Sequence, residues 1–252
     1  MITYKIIENE SAILNLRVVL IENIANNEFA FDKFENDLLQ KEKPFYIQVF
    51  LSAKEIDKIH FLEQKGYSFA EFRLKCQFRL ADFEGAGNFY PYSLVQITSE
   101  EMLKSIINIS INQSYDDRFY NDPELIKLIK LDRHQKLLRM SFENKNEVLL
   151  ALINEQNNNI LGYKSFIIID KHHVAFSLTG IQKNKFKISN YFEILNYLVF
   201  DYLIKHEFHF CDVVISGLNF EEINFYLKTI NFNLIDTSVI LRKLIYNNIK
   251  NV

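Results

Sequence analysis

Residues 174–190 read Val174-Ala175-Phe176-Ser177-Leu178-Thr179-Gly180-Ile181-Gln182-Lys183-Asn184-Lys185-Phe186-Lys187-Ile188-Ser189-Asn190. The first eight form an apolar run of strand length, and an apolar helical pattern follows from Ser189 to Lys205. Between them lies a lysine-rich loop. A strand that feeds a helix through a cationic loop can hold phosphate, because the first-turn N–H groups and the positive end of the helix dipole face the anion. Lys183, Lys185 and Lys187 are therefore read either as phosphate contacts or as a solvated turn.

Downstream, Phe210–Ser216 predicts a strand, Asn219 to about Lys228 a short helix, and Asn231–Leu244 a final strand. Upstream, Glu147–Asn154, Ile160–Ile169 and His173–Ile181 predict an antiparallel meander, joined by an Asn-rich turn and by Asp170-Lys171-His172. Before it come a strand at Tyr92–Ile97 and a helix from Thr98-Ser99-Glu100-Glu101 through Ile107. A polar, aromatic loop then reaches Asp122-Pro123, which predicts a helix start at N-cap and N1 and a helix running to about Leu138.

The first eighty residues look self-contained. Pro44–Leu51 alternates like a strand. Ser52 with Glu55 forms a capping-box pattern, and the helix it opens carries Ile56, Ile59, Phe61 and Leu62 before stopping at Gly66. Phe69–Leu80 then reads as a long strand with Phe72, Leu74, Cys76, Phe78 and Leu80 on one face. The glycine-bearing stretch Asp82-Phe83-Glu84-Gly85-Ala86-Gly87-Asn88 predicts a linker. It divides the chain into a small α/β domain at 1–88 and a second domain at 89–252. No internal repeat and no low-complexity tract is visible.

The 252 residues are 48% hydrophobic and 24% charged, with a formal net charge of -3, the profile of a globular chain without a basic nucleic-acid footprint. Cys76 and Cys211 both lie in apolar runs, which reads as reduced core thiols in a cytoplasmic protein. Met1-Ile2-Thr3-Tyr4-Lys5 lacks the order of a signal peptide. No apolar run approaches the ~20 residues that cross a bilayer, so no membrane partner is expected. His206 with His209, and His172 with His173, lack a Cys or carboxylate at ligand spacing, so no metal is expected. Cys211 reads as packing, and Arg139, a lone cation among apolar residues, as structural.

Two features carry a family resemblance. One is the gap-free strand–loop–helix from Ile181 to Leu198. The other is Asn219 followed by Tyr226 and the apolar end Ile230-Asn231-Phe232. The chain from about residue 91 to its end resembles the GNAT superfamily of acyl-CoA-dependent N-acyltransferases. Within it, Leu62-Glu63-Gln64-Lys65-Gly66-Tyr67 and Arg118-Phe119-Tyr120-Asn121-Asp122-Pro123 are similar to segments of TDP-fucosamine acetyltransferases. The pyrophosphate-loop slots that carry glycine in the family hold Lys187, Ser189 and Tyr191 here, and its Arg/Gln slot holds Phe186.

The resemblance implies an α+β fold, a mixed α/β sheet of the GNAT type. It implies acetyl-CoA as cosubstrate and transfer of acetyl to an amine, foremost on a TDP-linked amino-deoxy sugar used in surface glycans. A different amine (an amino acid or peptide) and a degenerate, non-catalytic GNAT-like binding module stay open, as does the oligomeric state, a homodimer included. Tyr226 is expected to protonate the departing thiolate, with Asn219 beside it. Counting back from Phe232 would give that slot to Leu227, but the chemistry needs a hydroxyl. Acetyl-CoA is expected along Thr179, Gly180 and Ile181, where the backbone N–H groups near Gly180 and Ile181 would polarise the thioester, and along Lys185, Lys187, Ile188, Ser189, Asn190 and Asn219. Arg118, Tyr120 and Tyr163 are expected to meet the acceptor. Arg118 reads equally as a surface pair with Asp116, Asp117 or Asp122, and Tyr226 equally as packing beside Phe225.

Overall fold

Alternation of apolar residues gives each strand a face to bury, as at Leu74, Cys76 and Phe78, and a ten-stranded sheet collects those faces. The structure is a computed structural model that describes residues 2–24, 28–42, 46–85, 87–111, 118–126, 133–182, 188–230 and 232–245; at 28, 188–190 and 227–229 the description covers backbone only. The N-terminal half comprises β1 (Thr3–Ile6), α1 (Glu8–Leu14), β2 (Val18–Asn23), α2 (Glu28–Glu42), β3 (Tyr46–Ser52), α3 (Ile56–Gln64) and β4 (Ser68–Arg79). The C-terminal half begins with β5 (Tyr92–Gln96), α4 (Glu100–Ile111), α5 (Arg118–Asn121), α6 (Arg133–Glu143), β6 (Glu147–Asn154) and β7 (Asn159–Asp170). It continues with β8 (His173–Ile181), α7 (Ile188–Lys205), β9 (Phe210–Ser216), α8 (Phe220–Thr229) and β10 (Asn233–Leu244).

The strands lie in the order β1-β2-β3-β10-β4-β9-β8-β7-β6-β5. Strands β6 to β8 are the expected antiparallel meander, and β5 joins it antiparallel to β6. Two parallel pairs, β2·β3 and β8·β9, flank a central antiparallel pair of β10 and β4. Each half thus ends strand–helix–strand–helix–strand, β2-α2-β3-α3-β4 and β8-α7-β9-α8-β10, and lends its last strand to the other: β4 pairs with β9, and β10 with β3. This is an internal repeat, which corrects the sequence reading. It is invisible in the residues because pairing of distant strands, not similarity of side chains, creates it. One sheet runs through both sides of the 82–88 segment.

Helices cover both faces. The largest core joins Leu195, Val199, Phe200 and Leu203 of α7 to Cys76, Leu150, Phe166 and Ile215 of the sheet. Leu103, Ile106 and Ile107 of α4 and Leu138 of α6 pack on the opposite face over Leu149, Ala151 and Tyr163. A third core packs α2 and α3 through Phe31, Leu38 and Leu62.

The local signals at α3 are met in part. The Glu55 carboxylate accepts the Ser52 N–H at 3.1 Å, but α3 starts at Ile56 with Glu55 at its N-cap, so Ser52 ends β3 and does not cap the helix. Gly66 follows the helix at φ +82°, the left-handed value that favours glycine. The helix expected from Pro123 differs. Residues 123–126 form a turn, α6 is described from Arg133 to Glu143, and 127–132 lie outside the described residues. The Asp122 carboxylate accepts from the N–H groups of Glu124 and Leu125 at 2.9 and 3.3 Å. It also receives a two-pronged bond from Arg242 of β10 at 2.6 and 3.1 Å. That tertiary ion pair holds the segment as a turn against the sheet.

Candidate active site

The parallel strands β8 and β9 are in register only at His173–Phe210, Val174–Cys211 and Ala175–Asp212. Beyond Ala175 they part. β8 continues to Ile181 and β9 to Ser216, and a cleft of about 340 Å³ opens between them. Its walls include Phe176, Ser177, Leu178 and Thr179 of β8, Val213, Val214 and Ser216 of β9, and Asn219 and Glu222 at the start of α8. Glu71 and Arg73 come from β4, the strand lent by the N-terminal half, and His134 from α6.

The amides along β8 follow from its other neighbour. The Gln182 N–H donates to the Leu161 carbonyl at 2.7 Å, and Gly180 pairs with Tyr163 in the same antiparallel ladder. Alternation then turns the Gly180 amide toward Tyr163, which corrects the expectation that it faces the thioester, and leaves those of Thr179 and Ile181 on the edge facing β9. Gly180 itself is required by close approach, since a Cβ there would penetrate the Tyr163 ring.

Beneath the cleft lies a buried polar cluster. The Lys164 ammonium, fully buried, donates to Thr179 Oγ1 and to the Tyr226 hydroxyl, each at 3.3 Å. It also lies 4.1 Å above the Phe176 ring. The Tyr226 hydroxyl donates to Asn196 Oδ1 at 3.3 Å, and Asn196 is anchored by donating to the Phe192 carbonyl at 2.8 Å. Burial pushes the Tyr226 phenol well above its ordinary value, and the Glu222 carboxylate adds to that rise. Burial also pushes Glu222 up, against the pull of Lys164, and pushes Lys164 down, against the pull of Glu222. The Cys211 thiol is raised by burial, which makes it packing and no nucleophile.

Asn219 has a definite structural task. Its Oδ1 accepts the Glu222 N–H at 3.0 Å as the N-cap of α8, and its Nδ2 donates to Glu222 Oε2 at 2.9 Å. The structure thus brings together Thr179, Asn219 and Tyr226, with Gly180 and Ile181 at the end of β8. Tyr163 is fully buried on the α4 and α6 face. Arg118 is 4% exposed and pairs with Glu71, a buried carboxylate, at 3.2 Å; Asp116 and Asp117 lie outside the described residues. Tyr120 packs around Phe119 and Tyr46 of the N-terminal half, apart from the cleft. Lys185 and Lys187 lie outside the described residues. Ile188, Ser189 and Asn190 form the first turn of α7, and of their side chains nothing is described.

Sequence reasoning missed Lys164, Asn196, Glu222, Glu71 and Arg73. Lys164 stands alone in an apolar strand, and Asn196 in an apolar helix; an isolated polar residue on a face that must be buried is the signal that could have found them. Among the described residues no group of three His, Cys, Asp or Glu side chains could hold a metal, and no helix is long and apolar enough to cross a membrane.

No family profile matches the sequence, and no curated protein matches it. Solved structures do match in shape. A tandem GNAT protein from the clavulanic acid biosynthesis pathway superposes with a TM-score of 0.62 at 11% identity, covering 90% of this chain and 75% of its own. The fold is that of the GCN5-related N-acetyltransferases. A GNAT from Sphaerobacter thermophilus aligns over 96% of this chain and 76% of its own, with a TM-score of 0.63 at 11% identity. A Staphylococcus epidermidis protein of unknown function gives 0.67 at 9% identity over 90% and 84%. The GNAT fold confirms the mixed α/β sheet expected from the sequence. The parallel pair of the N-terminal half, β2 and β3, is in register from Val18–Tyr46 to Ile21–Val49. Buried Leu62 stands as far into α3 as Tyr226 does into α8.

Proposed function

We propose that the chain transfers an acetyl group from acetyl-CoA to an amine, with the thioester held in the gap between β8 and β9. The observation that carries this is the parting of that parallel pair beyond Ala175 with the Tyr226 hydroxyl beneath it. The Thr179 amide, on the edge that faces β9, would polarise the thioester carbonyl. The amine attacks as its neutral form, the C–N bond forms as the C–S bond breaks, and Tyr226 gives its proton to the thiolate. The α7 N-terminus follows the lysine loop and suits the pyrophosphate.

For the acceptor we infer a TDP-linked amino-deoxy sugar. The segments 62–67 and 118–123 support this, and Arg118 from the second is bonded to Glu71 of the cleft wall. One observation favours a second reading, a binding module without catalysis: the loop slots hold Lys187, Ser189 and Tyr191, so no glycine lets the backbone close on a pyrophosphate. Thiol release from acetyl-CoA, measured over a panel of amino sugars, amino acids and peptides, tests both. Turnover with at least one amine, reduced about a hundredfold in Tyr226→Phe, is expected; binding without turnover on any amine would leave the module.

A further inference from the structure

The fully buried amine of Lys164 is out of place in an apolar strand. Among the described residues no carboxylate forms an ion pair with it; Glu222 acts on it only through its field. Its three N–H groups have three destinations, the Thr179 oxygen, the Tyr226 oxygen and the face of the Phe176 ring. A charge buried at such cost serves packing poorly, because an apolar side chain would fill the same space more cheaply. What the arrangement does provide is a proton donor aimed at the oxygen of Tyr226.

We propose that Lys164 is the positioning residue of Tyr226: its ammonium holds the phenol oxygen and refills it with a proton after the hydroxyl has protonated the leaving thiolate. The inference rests on the acetyl-transfer reading above. As the C–S bond breaks, its electron pair leaves on sulfur, and the Tyr226 proton moves to that sulfur. The phenolate takes a proton from the Lys164 ammonium. The neutral amine then regains one from water, which receives the proton shed by the acceptor nitrogen, so no net proton is gained or lost. The refill runs downhill, because burial makes the ammonium a stronger acid and the phenol a weaker one. Asn196, accepting the hydroxyl hydrogen on the other side, keeps the ring oriented for both transfers.

The titratable groups that face this pair are Glu222 of α8 and the thiols Cys211 of β9 and Cys76 of β4. Burial raises both thiols, so they remain neutral where Lys164 loses its proton. Glu222 can add only an acid limb to a rate profile. A basic limb below the ordinary lysine value therefore reports Lys164.

The test has two arms. In the first, kcat and the acetyl-CoA KM are followed against pH for the wild type, Lys164→Met and Lys164→Arg. Both variants should lose about tenfold or more in kcat with KM unchanged, and the basic limb should vanish. Arginine keeps the charge but cannot release a proton, so a Lys164→Arg enzyme as fast as the wild type would overturn the refill. In the second arm, tyrosine carrying 13C at Cζ is incorporated, and the Tyr226 signal is assigned by its loss in Tyr226→Phe. In the wild type that signal should step at the pH of the basic limb. No step would overturn the coupling whatever the activity, whereas a step in a protein that acetylates no amine would overturn the acetyl-transfer reading and leave the coupling standing.

Discussion

The Tyr163 ring lies directly across Gly180, so close that no side chain larger than hydrogen fits at position 180. These two residues weld the middle of β7 to the end of β8 and fix the edge on which the Thr179 and Ile181 amides are presented. Gly180→Ala should cost about 1–3 kcal/mol through overpacking. Most of that loss should return in the Gly180→Ala, Tyr163→Leu double variant, since contacting residues do not add. Denaturant unfolding of the three proteins checks this; additive losses would mean that the ring moves aside freely.

Asn219 caps α8 and holds the Glu222 carboxylate. Asn219→Ala should lower stability by about 1 kcal/mol, and Asn219→Ser should restore most of it. Thermal unfolding reads the outcome. A variant indistinguishable from wild type would show that the cap is idle.

Asp122 and Arg242 tie the segment after α5 to β10, with the carboxylate 3% exposed. Removing the acid takes both of its bonds from a guanidinium that is only 12% exposed and leaves it Glu124 at 3.1 Å as its remaining carboxylate. Asp122→Ala should therefore destabilise by about 3 kcal/mol, whereas replacing both partners by apolar residues should cost much less. A double variant as unstable as the single one would contradict this.

His134 gives the protein an acid-sensitive side. Burial, with the charge of Arg133 beside it, pushes its imidazole down to about 3. The unfolded chain takes up that proton near pH ~6.5, the folded chain only near pH 3, so between these values the unfolded state binds more protons. Stability is then lost as pH falls through that window. Wild type should lose more on acidification from pH 6.5 to pH 3 than His134→Leu does. Parallel stability–pH curves would place the histidine's proton uptake elsewhere.

How far the fold could be read depended on where its information lies. Strands β5 to β8, helix α7 and the last two strands follow from alternation, helical spacing and local caps, all of which act between near neighbours. The reciprocal lending of β4 and β10 does not, because it joins Leu74 to Thr237 and Leu241 to Val49 across long stretches of chain. The first 42 residues, where no element was assigned, form two strands and two helices that take their stability from packing on that central pair. At the candidate site Asn219 and Tyr226 were singled out through the family resemblance. Lys164 was not, because a single lysine in a strand normally points to water, whereas this one pairs with Thr179 in the ladder and turns its amine to Thr179 and Tyr226. Glu71 and Arg73 were hidden for another reason: they reach the cleft on a strand that belongs, by sequence, to the other half.

Calorimetric titration with acetyl-CoA, and separately with CoA, tests the central claim most directly. A cleft between β8 and β9 completed by the α7 N-terminus predicts one site per chain with micromolar affinity, weakening as salt rises because the pyrophosphate contacts are ionic. No heat of binding up to millimolar acetyl-CoA would contradict it, and with it the proposed acetyl transfer.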